Sequence, residues 1–425
     1  MKNYLSNLYH FLWAFFSALF FSFPSRKMKV IGVTGTSGKS TVVDLTSNIL
    51  EEAGYKIAAL SSIKIKIRDK EEENLFKMTM PGRGYLQSFL KKAQDKRCRY
   101  VILEVTSEGI LQHRHRFINF DTAVFTTLYP EHIERHGNFE NYKAAKGKIF
   151  RATKKVHILN LDDKNVNYFL QFPAKRKIGF TISNQQMVSS FSQEKSLVIK
   201  AENTQVLPLG TKFSVSSLEF NLKLLGEFNI YNALAAICIG ISQGVPLEIC
   251  KRALEKISGI PGRMEIVIKK PFQVIVDYAH TPDALQKVYS ILSEKSKIQN
   301  PKSKMICVLG SCGGGRDKWK RPTLGKIASQ FCDEIIITNE DPYDEPPMEI
   351  IEQVFKGVTS NKQQVTRKIL DRREGIKEAL KLAKPQDTVI ITGKGCEPWM
   401  CVENGKKIPW DDRQVVKEEL RKLQK

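Results

Sequence analysis

The sequence lacks the features that mark several large classes of protein. Its eight cysteines, at positions 98, 238, 250, 307, 312, 332, 396 and 401, show neither the paired CxxC spacing of a zinc site nor the density of a secreted disulfide scaffold. It contains no internal repeat, no low-complexity tract and no nucleic-acid-binding motif with interleaved aromatic residues. We therefore expect a cytoplasmic globular protein with reduced thiols and no nucleic-acid partner.

Acidic residues are in the minority. With 67 Lys and Arg against 45 Asp and Glu among 425 residues, the formal net charge is +22. This balance favours anionic partners, such as nucleotides, acidic peptides or an anionic membrane surface, without choosing among them. A hydrophobic share of 42% is enough for two or three globular domains, so disorder of the whole chain is excluded.

The first 27 residues differ from the rest of the chain. From Leu5 to Phe23 the sequence is nearly uncharged and rich in Phe and Leu, and basic residues follow at Arg26 and Lys27. These 19 residues are at the short end of a membrane-spanning helix, and no small-residue cleavage site follows them. Two interpretations stay open. Residues 1–27 form a membrane anchor at the inner face of the cell membrane, or they form a helix packed on the first domain.

Alternation of buried strands with helices predicts two α/β domains, at 28–260 and 261–425. In the first domain we expect strands at Lys29–Val33, Tyr100–Val105, Thr122–Thr127 and Val156–Leu159, helices at Thr41–Ala53 and Asn229–Gln243, and a β-rich subdomain near 177–225. Pro261-Gly262 reads as the linker. In the second domain we expect a doubly wound sheet with strands at Phe272–Val276, Met305–Leu309, Glu334–Thr338 and Thr388–Thr392.

The strongest local motif is the glycine-rich turn from Gly32 to Thr41, between the first predicted strand and helix. Backbone amides of such a turn hold phosphates, Lys39 reaches the outer phosphates, and the Ser40 hydroxyl ligates magnesium. Val33 stands where the strict phosphate-loop pattern has glycine. The turn predicts a nucleoside triphosphate site formed by Gly35, Thr36, Ser37, Gly38, Lys39, Ser40 and Thr41.

Over nearly all of residues 28–425 the chain resembles the Mur ligase family. Thr34 to Thr41 is similar to that family's Thr-Gly-Thr-Asn-Gly-Lys-Thr-Thr segment, and further family motifs follow as LEVTS, EHIERHG and NYKAAK. The resemblance implies an ATP-dependent ligase with a phosphate-loop, parallel-sheet central ATPase domain and a Rossmann-like C-terminal domain. It implies catalytic roles for Lys39, Glu104, His132 and Lys146, and magnesium held by Ser40, Glu104, His132 and Lys146, the last as a carbamylated lysine.

Motifs on both sides of the linker extend the implied ATP contacts. Gly226-Glu227-Phe228-Asn229 resembles the segment that contacts adenine in the family, Gly262-Arg263-Met264-Glu265 resembles a motif whose arginine contacts ATP across the domain cleft, and Asp277-Tyr278-Ala279-His280 resembles one that contacts ribose. The contacts implied by these motifs are Asn229, Asn232, Arg263, Asp277 and His280.

Within the family the chain is most similar to members that add a diamino acid to UDP-N-acetylmuramoyl-L-alanyl-D-glutamate in peptidoglycan synthesis. The implied reaction starts with attack of the acceptor carboxylate on the γ-phosphate of ATP, and the amine then displaces phosphate from the resulting acyl phosphate. The implied substrate contacts are Thr79, Pro81, Thr106, Ser107, Gln112, Arg114, Arg316, Glu340, Asp341, Pro342, Tyr343, Gly393 and Glu397.

Several positions depart from the family pattern. Tyr343 stands where diaminopimelate-adding members have arginine, and together with Asp344 and Glu345 it favours the positively charged end of lysine. Diaminopimelate stays open as the alternative, with a nearby Lys or Arg holding its distal carboxylate. Cys396 replaces a histidine, Gly315 replaces an aspartate, and Glu131 replaces an aspartate. Because the turn follows so soon after Met1, we expect the UDP-binding N-terminal domain of the family to be absent. The acceptor is therefore either a muramyl peptide nucleotide or a lipid-linked precursor presented at a membrane.

Two alternatives stay open beside this hypothesis. One is a folylpolyglutamate- or cyanophycin-synthetase-like amide ligase, against which the segment Arg316 to Pro322 and the loop Glu340 to Pro347 favour the muramyl interpretation. The other is a nucleotide-binding subunit of a complex that amidates lipid-linked precursors. Those relatives usually carry a four-cysteine zinc insertion, which the cysteine spacing here does not supply.

Overall fold

The computed structural model describes residues 2–76, 78–82, 84–183, 196–359 and 364–423. Contacts divide the chain into two compact units. The first is Met1–Pro130 with Asn138–Ser258, and the second is Glu131–Gly137 with Gly259–Lys425. The short stretch Glu131–Gly137 therefore groups with the second unit, although it lies inside the range 28–260 predicted for the first domain.

Helices and strands alternate along most of the described chain. The helices are α1 (Lys2–Phe20), α2 (Lys39–Glu52), α3 (Tyr85–Asp95), α4 (Ser107–Leu111), α5 (Ile133–His136), α6 (Phe139–Ala152), α7 (Val166–Leu170), α8 (Phe228–Ser242), α9 (Leu247–Lys256), α10 (Pro282–Gln299), α11 (Lys320–Phe331), α12 (Pro347–Phe355), α13 (Arg372–Leu382) and α14 (Asp412–Leu423). The strands are β1 (Lys29–Thr34), β2 (Ile57–Leu60), β3 (Lys64–Ile67), β4 (Lys70–Glu73), β5 (Tyr100–Glu104), β6 (Phe120–Phe125), β7 (Val156–Asn160), β8 (Arg176–Thr181), β9 (Ser196–Lys200), β10 (Glu202–Leu207), β11 (Gly210–Val215), β12 (Leu218–Leu222), β13 (Glu265–Ile268), β14 (Gln273–Asp277), β15 (Met305–Leu309), β16 (Glu334–Thr338), β17 (Val365–Ile369), β18 (Thr388–Thr392), β19 (Trp399–Cys401) and β20 (Lys407–Pro409).

A nine-stranded sheet in the order β4-β3-β2-β5-β1-β6-β7-β8-β9 forms the centre of the first unit. Seven neighbouring strands, β2, β5, β1, β6, β7, β8 and β9, run parallel. The β3-β4 hairpin pairs antiparallel with β2 at one edge. Strands β1, β5 and β6 are buried almost throughout, as expected for apolar strands covered by helices on both faces. Because β1 and β5 are parallel neighbours with Val33 opposite Glu104, the turn after β1 lies beside the end of β5.

The β-rich stretch predicted near 177–225 divides between two sheets. Strands β8 and β9 continue the parallel sheet, whereas β10, β11 and β12 form a separate antiparallel sheet. Phe213 and Phe220 stack across that small sheet with ring centroids 5.0 Å apart. Residues 184–195 of the predicted stretch lie outside the described part of the chain.

Helix α1 packs one face against the first unit and exposes the other. Phe11 and Phe15 meet Phe117 edge-on, with ring centroids 5.5 and 5.4 Å away, and Asn7 hydrogen-bonds to His113. Within the described ranges, no helix has the length and apolar character needed to cross a membrane. The exposed face carries large apolar or aromatic side chains at Leu5, Leu8, Tyr9, Leu12, Trp13, Phe16, Leu19 and Phe20.

The second unit is built on a six-stranded sheet in the order β13-β14-β18-β15-β16-β17. Strand β13 is antiparallel at one edge, and the other five strands are parallel. Strands β15, β16 and β18 have the predicted bounds. The loops after β14, β15, β16 and β18 leave from the same edge of the sheet, and these loops carry the residues predicted to bind ribose and the amino acid.

A disulfide joins two cysteines of the second unit. Cys307 on β15 and Cys332 after α11 are bonded, with Cα atoms 6.0 Å apart. The expectation of reduced thiols is therefore wrong for this pair. The cysteines are separated by 25 residues and meet because Cys332 leads into β16, the parallel neighbour of β15. Local cysteine spacing does not reveal this pairing. The other six cysteines are free thiols.

Candidate functional site

The glycine-rich turn connects β1 to α2, as the sequence predicts. Gly38 precedes the helix with φ +82°, in the left-handed region that favours glycine. A Cβ atom at this position would collide with the Asn232 side-chain oxygen. The structure therefore brings Asn232 of α8 against the turn, and it links Asn232 to Asn229 by a hydrogen bond of 2.9 Å.

A cation, a hydroxyl and a carboxylate converge at the end of the turn. The Ser40 hydroxyl donates to Glu104 Oε2 at 2.8 Å, and Lys39 Nζ lies 3.7 Å from Glu104 Oε1. Lys39 also donates to the Thr36 carbonyl oxygen at 2.9 Å. Hydroxyl and carboxylate oxygens are the ligands that magnesium prefers, and an ammonium group neutralises phosphate charge. This donor set fits a magnesium-bound triphosphate.

Lys146 of α6 lies directly under the same turn. Its Nζ donates to the Gly35 carbonyl oxygen at 2.7 Å and lies 4.6 Å from the centre of the Tyr142 ring. The residue is only 1% exposed. Burial, with Lys39 nearby, holds the pKa of the Lys146 amine well below its usual value. This shift moves the protonation equilibrium of the amine toward its neutral form.

Several supporting side chains were not predicted from the sequence. Ser62 donates its backbone N–H to Glu104 Oε2 at 2.9 Å and pairs its hydroxyl with Ser40 at 2.8 Å. Tyr142 lies 3.0 Å from the Thr36 hydroxyl, and Tyr129 bonds to Ser37. Tyr142 lies within the NYKAAK motif, and Tyr129 lies two residues before the EHIERHG motif, so their positions are a signal that could have found them. Ser62 has no comparable signal.

The predicted acceptor residues gather on two adjoining segments of the first unit. The Arg114 guanidinium donates to the Met80 carbonyl oxygen and to Gln112 Oε1. Thr106 caps α4 by accepting the Gly109 N–H at 3.1 Å. The Thr106 N–H donates to Met80 Sδ at 3.4 Å, which brings the segment Thr79–Pro81 to the start of the same short helix. Ser107 is buried in its first turn.

In the second unit, the predicted ribose and ATP motifs pack together. The Asp277 carboxylate accepts the N–H groups of Met264 and Ala279, each at 2.6 Å, while burial raises its pKa. The Arg263 guanidinium lies 4.3 Å from the centre of the Tyr278 ring. His280 Nδ1 donates to the Tyr278 carbonyl oxygen at 2.7 Å, and burial lowers the pKa of His280 to about 3. His280 is therefore neutral at physiological pH.

A buried lysine, absent from the predicted site residues, organises the amino-acid loop. Lys394 Nζ donates to both Asp341 oxygens at 2.9 Å and to Glu397 at 2.8 Å. Glu397 in turn accepts the Tyr278 hydroxyl at 2.9 Å. Lys394 is fully buried. The network connects the Asp341 loop to Glu397 and Tyr278, residues drawn from three different motifs.

Glu340 lies at the base of this loop and is only partly satisfied. It is buried, and the Cys312 thiol donates to its Oε1 at 3.1 Å. Its Oε2 has no hydrogen-bond partner and faces Gly393, where an added Cβ would collide with it. Burial raises the pKa of Glu340. Added Cβ atoms at Gly313 and Gly314 would likewise collide with Pro342 and approach Tyr343 to 2.6 Å, so the loop packs directly on the glycine turn.

His132 and Arg316, the remaining predicted residues, meet within the second unit. Arg316 Nη1 lies 3.3 Å from His132 Nδ1. Because a guanidinium only donates, His132 Nδ1 acts as the acceptor. Among the described residues, no group of three or more His, Cys, Asp or Glu side chains is arranged to hold a metal. A magnesium ion at the phosphate turn of the first unit would therefore be held by the Ser40 hydroxyl, the Glu104 carboxylate and phosphate oxygens.

A parallel sheet whose first strand enters a glycine-rich turn, with lysine, hydroxyl and carboxylate groups at that turn, defines a phosphate-loop nucleotide-binding protein. Residues 33–240 match the family profile of the Mur ligase middle domain, and residues 262–395 match that of the Mur ligase, glutamate ligase domain. The chain belongs to the Mur ligase family. It is an ATP-dependent ligase that forms amide bonds and releases ADP.

Curated relatives extend the similarity over almost the whole chain. The UDP-N-acetylmuramoyl-L-alanyl-D-glutamate--2,6-diaminopimelate ligase of Syntrophomonas wolfei is 35% identical over 417 residues, which are 96% of this chain and 81% of that protein. The UDP-N-acetylmuramyl-tripeptide synthetase of Roseiflexus sp. is 32% identical, again over 96% of this chain and 81% of that protein.

Solved structures have the same architecture. A UDP-N-acetylmuramoyl-L-alanyl-D-glutamate--2,6-diaminopimelate ligase superposes with a TM-score of 0.61 at 26% identity, covering 94% of this chain and 79% of that one. The Mycobacterium tuberculosis folylpolyglutamate synthase superposes with a TM-score of 0.68 at 14% identity, covering 97% and 94%. At that low identity the second likeness shows the fold alone.

Proposed function

We propose that the protein joins the D-glutamate carboxylate of UDP-N-acetylmuramoyl-L-alanyl-D-glutamate to an amine of a diamino acid, in peptidoglycan synthesis. The observation that carries this proposal is the convergence of Lys39, Ser40, Glu104 and Lys146 on one turn. The names of the relatives, which state this acceptor, support it. Arg114 lies on the segment that starts at Thr106, two residues after Glu104. Its guanidinium is suited to pairing with a carboxylate.

The proposed reaction has two steps. An oxygen of the acceptor carboxylate attacks the γ-phosphorus of ATP, the bond to the β-phosphate oxygen breaks, and ADP leaves. The amine nitrogen then attacks the acyl carbon, inorganic phosphate leaves, and the ammonium proton is lost to solvent. Lys39 neutralises charge on the transferring phosphoryl group, and the turn fixes its position. Catalysis therefore rests on positioning and electrostatics, without a nucleophilic Ser or Cys.

Magnesium fits the oxygen donors of Ser40 and Glu104, and when bound it would neutralise phosphate charge. We assign further ligand roles to His132 and to Lys146 as a carbamate. A neutral amine is the form that reacts with carbon dioxide, forming one N–C bond and releasing one proton. The lowered pKa of Lys146 supports that modification. His132 would bind through Nδ1 only after Arg316 releases that atom.

For the amino acid we favour lysine over diaminopimelate. Tyr343 offers no guanidinium for a distal carboxylate. The Glu345 carboxylate is already engaged, because it pairs with Arg321 at 3.0 Å and with Lys318 at 3.2 Å. Glu340 has the buried carboxylate oxygen without a partner, so it is the stronger acceptor for an ammonium group.

One experiment tests the reaction and the amino acid together. The protein is incubated with ATP, magnesium, the muramyl dipeptide nucleotide and equal lysine and diaminopimelate, and the products are weighed by mass spectrometry. We expect ADP, phosphate and a tripeptide nucleotide containing mainly lysine. Absence of any tripeptide nucleotide, with ATP consumed on folates or glutamate instead, would overturn the proposal.

A second candidate acceptor is a lipid-linked muramyl peptide at a membrane surface. The exposed apolar face of α1 favours it, because such a stripe on one side of a helix is suited to lying in the interfacial layer of a bilayer. Exposed Arg26 and Lys27 follow the helix and suit anionic headgroups. The opposite face contacts His113, beside Arg114. Membrane contact would therefore put the acceptor loop close to the lipid surface.

Vesicle binding by the full chain tests this candidate. We expect sedimentation with phosphatidylglycerol vesicles but not with phosphatidylcholine vesicles, and loss of binding in a Trp13→Glu, Phe16→Glu variant. The matched control is the double variant Val206→Glu, Leu209→Glu, which changes two exposed apolar residues outside α1. This control should bind vesicles as the parent protein does. Equal behaviour of both variants, or equal turnover of soluble and lipid-linked acceptors, would count against the membrane-bound acceptor.

A further inference from the structure

The stretch Glu131–Gly137 belongs by its contacts to the second unit, although the chain on both sides of it belongs to the first. Its partner is the loop from Arg316 to Lys320. The Asp317 carboxylate accepts the backbone N–H groups of Ile133 at 3.2 Å and Glu134 at 2.9 Å. These are donors at the start of α5, which the helix itself leaves unsatisfied. A side chain distant in sequence therefore caps this helix.

The same loop also contacts two acidic side chains of the stretch. Lys320 Nζ donates to Glu131 Oε1 at 3.0 Å, and both side chains are at most 4% exposed. The Glu134 carboxylate accepts the Lys318 backbone N–H at 2.8 Å. Removing one partner of a buried ion pair leaves the other charge uncompensated, which is far more costly than losing an exposed pair. The buried Glu131–Lys320 ion pair is thus the electrostatic interaction whose loss should most disturb residues 131–137.

His132 lies between the residues held by these interactions, and its backbone has a restricted conformation. Its φ is +57°, in the left-handed region that a non-glycine residue seldom adopts. Such a conformation persists when the surrounding contacts hold it. Glu131 is fixed on one side by Lys320, and Ile133 and Glu134 are fixed on the other by Asp317. The backbone of His132 is therefore constrained from both directions.

We propose that Asp317 and Lys320 are positioning residues that hold the backbone of His132 in one conformation and thereby fix the direction of its imidazole ring. The metal role of His132 rests on the proposed function, whereas the ordering of residues 131–137 does not. Asp317 and Lys320 act through the stretch and need not touch substrate. Their loop also carries Arg316, so the arginine predicted to bind the amino acid and the histidine predicted to bind metal are ordered by the same segment.

Hydrogen exchange on the full chain, without nucleotide or magnesium, tests the ordering. We expect Lys320→Met to raise exchange in residues 131–137 at least tenfold while the α13 peptide keeps the parent rate. Asp317→Asn, a milder change, should raise it severalfold. Lys318→Met is the matched control, because it removes an exposed charge from the same loop and keeps the backbone N–H. The double variant Glu131→Gln, Lys320→Met should restore part of the protection.

Activity assays on the same variants separate positioning from general stability. Lys320→Met should raise the magnesium concentration for half-maximal rate severalfold and lower kcat, with little change in KM for ATP. Unchanged exchange at 131–137 in both single variants would overturn the proposal, as would a uniform rise across all peptides. If no diamino acid were ligated, the proposed function would fail while the exchange result still stood.

Discussion

The phosphate turn of the first unit and the amino-acid site of the second unit each contain a lysine that pairs with acidic side chains, but the two lysines act differently. Lys39 is partly exposed at 14%, and it lies 3.7 Å from one carboxylate, Glu104. Lys394 is fully buried and donates to Asp341, to Glu397 and to a backbone carbonyl. The first arrangement keeps a positive charge available to an incoming anion. The second uses its positive charge to hold the loop together.

The largest difference should be seen in catalysis. Lys39→Met removes the ammonium group that neutralises the transferring phosphate, and we expect kcat to fall about a thousandfold with the fold retained. Steady-state phosphate release with a circular dichroism check measures this. Lys66→Met is a matched control, because it pairs with Glu51 away from the turn and should leave kcat within about twofold. A similar loss of kcat in Lys39→Met and Lys66→Met would show that Lys39 has no specific role in catalysis.

The next largest effect should be on stability. Lys394→Met leaves the buried Asp341 carboxylate and the partly exposed Glu397 carboxylate without their cation, and we expect a loss of about 3–5 kcal/mol in the free energy of unfolding. Urea denaturation measures it, with Lys377→Met, which breaks an exposed pair with Glu374, as the control expected to cost under about 1 kcal/mol. If Lys394→Met proved as stable as the control, the contrast between the two lysines would be lost.

A smaller effect should appear in the choice of amino acid. Tyr343→Arg places a guanidinium on the loop, and we expect the ratio of kcat/KM for diaminopimelate to that for lysine to rise roughly tenfold, equivalent to about 1.4 kcal/mol. Competition of the two amino acids in one reaction gives the ratio directly. Tyr343→Phe, which removes only the hydroxyl, should leave it near the parent value. An unchanged ratio in the arginine variant would place the distal end of the amino acid elsewhere.

The smallest effect concerns pH. Burial lowers the pKa of His157 in the first unit to about 4 and that of His280 in the second to about 3. Both groups stay neutral when folded but take up a proton near pH 6.5 when unfolded, so stability should fall as pH drops from 6.5 toward 4. Each group contributes at most about 1.4 kcal/mol per pH unit. Urea midpoints from pH 7 to 5 should fall less steeply in His157→Gln than in the parent.

The two sites also differ in how far the sequence alone predicts them. Lys39 and Ser40 are contiguous, and Glu104 ends a strand that pairs with β1, so local pattern and strand order suffice. Lys394 was missed as a site residue, because its importance depends on Asp341 and Glu397 meeting it from separate loops. Burial and partner choice are properties of the folded chain. A local motif contains no signal for them.

The fold shows the same division. Strands β15, β16 and β18 were predicted with their observed bounds, since buried apolar runs are distinctive. The edge strands β3 and β4 were not predicted, because their many charged residues resemble a solvated loop. The Cys307–Cys332 bond and the grouping of Glu131–Gly137 with the second unit depend on contacts between distant residues. The hydrophobic pattern of the sequence predicts neither the disulfide nor this grouping.

Transfer of oxygen between substrates tests the central claim most directly. The D-glutamate carboxylate of the muramyl dipeptide nucleotide is labelled with oxygen-18, and the inorganic phosphate released during turnover with ATP, magnesium and lysine is analysed by mass spectrometry. We expect one labelled oxygen in each phosphate formed, because the carboxylate oxygen that attacks the γ-phosphorus stays bonded to it and is released in the inorganic phosphate. Phosphate without label, released while the tripeptide nucleotide accumulates, would contradict an acyl phosphate formed at the Lys39 turn.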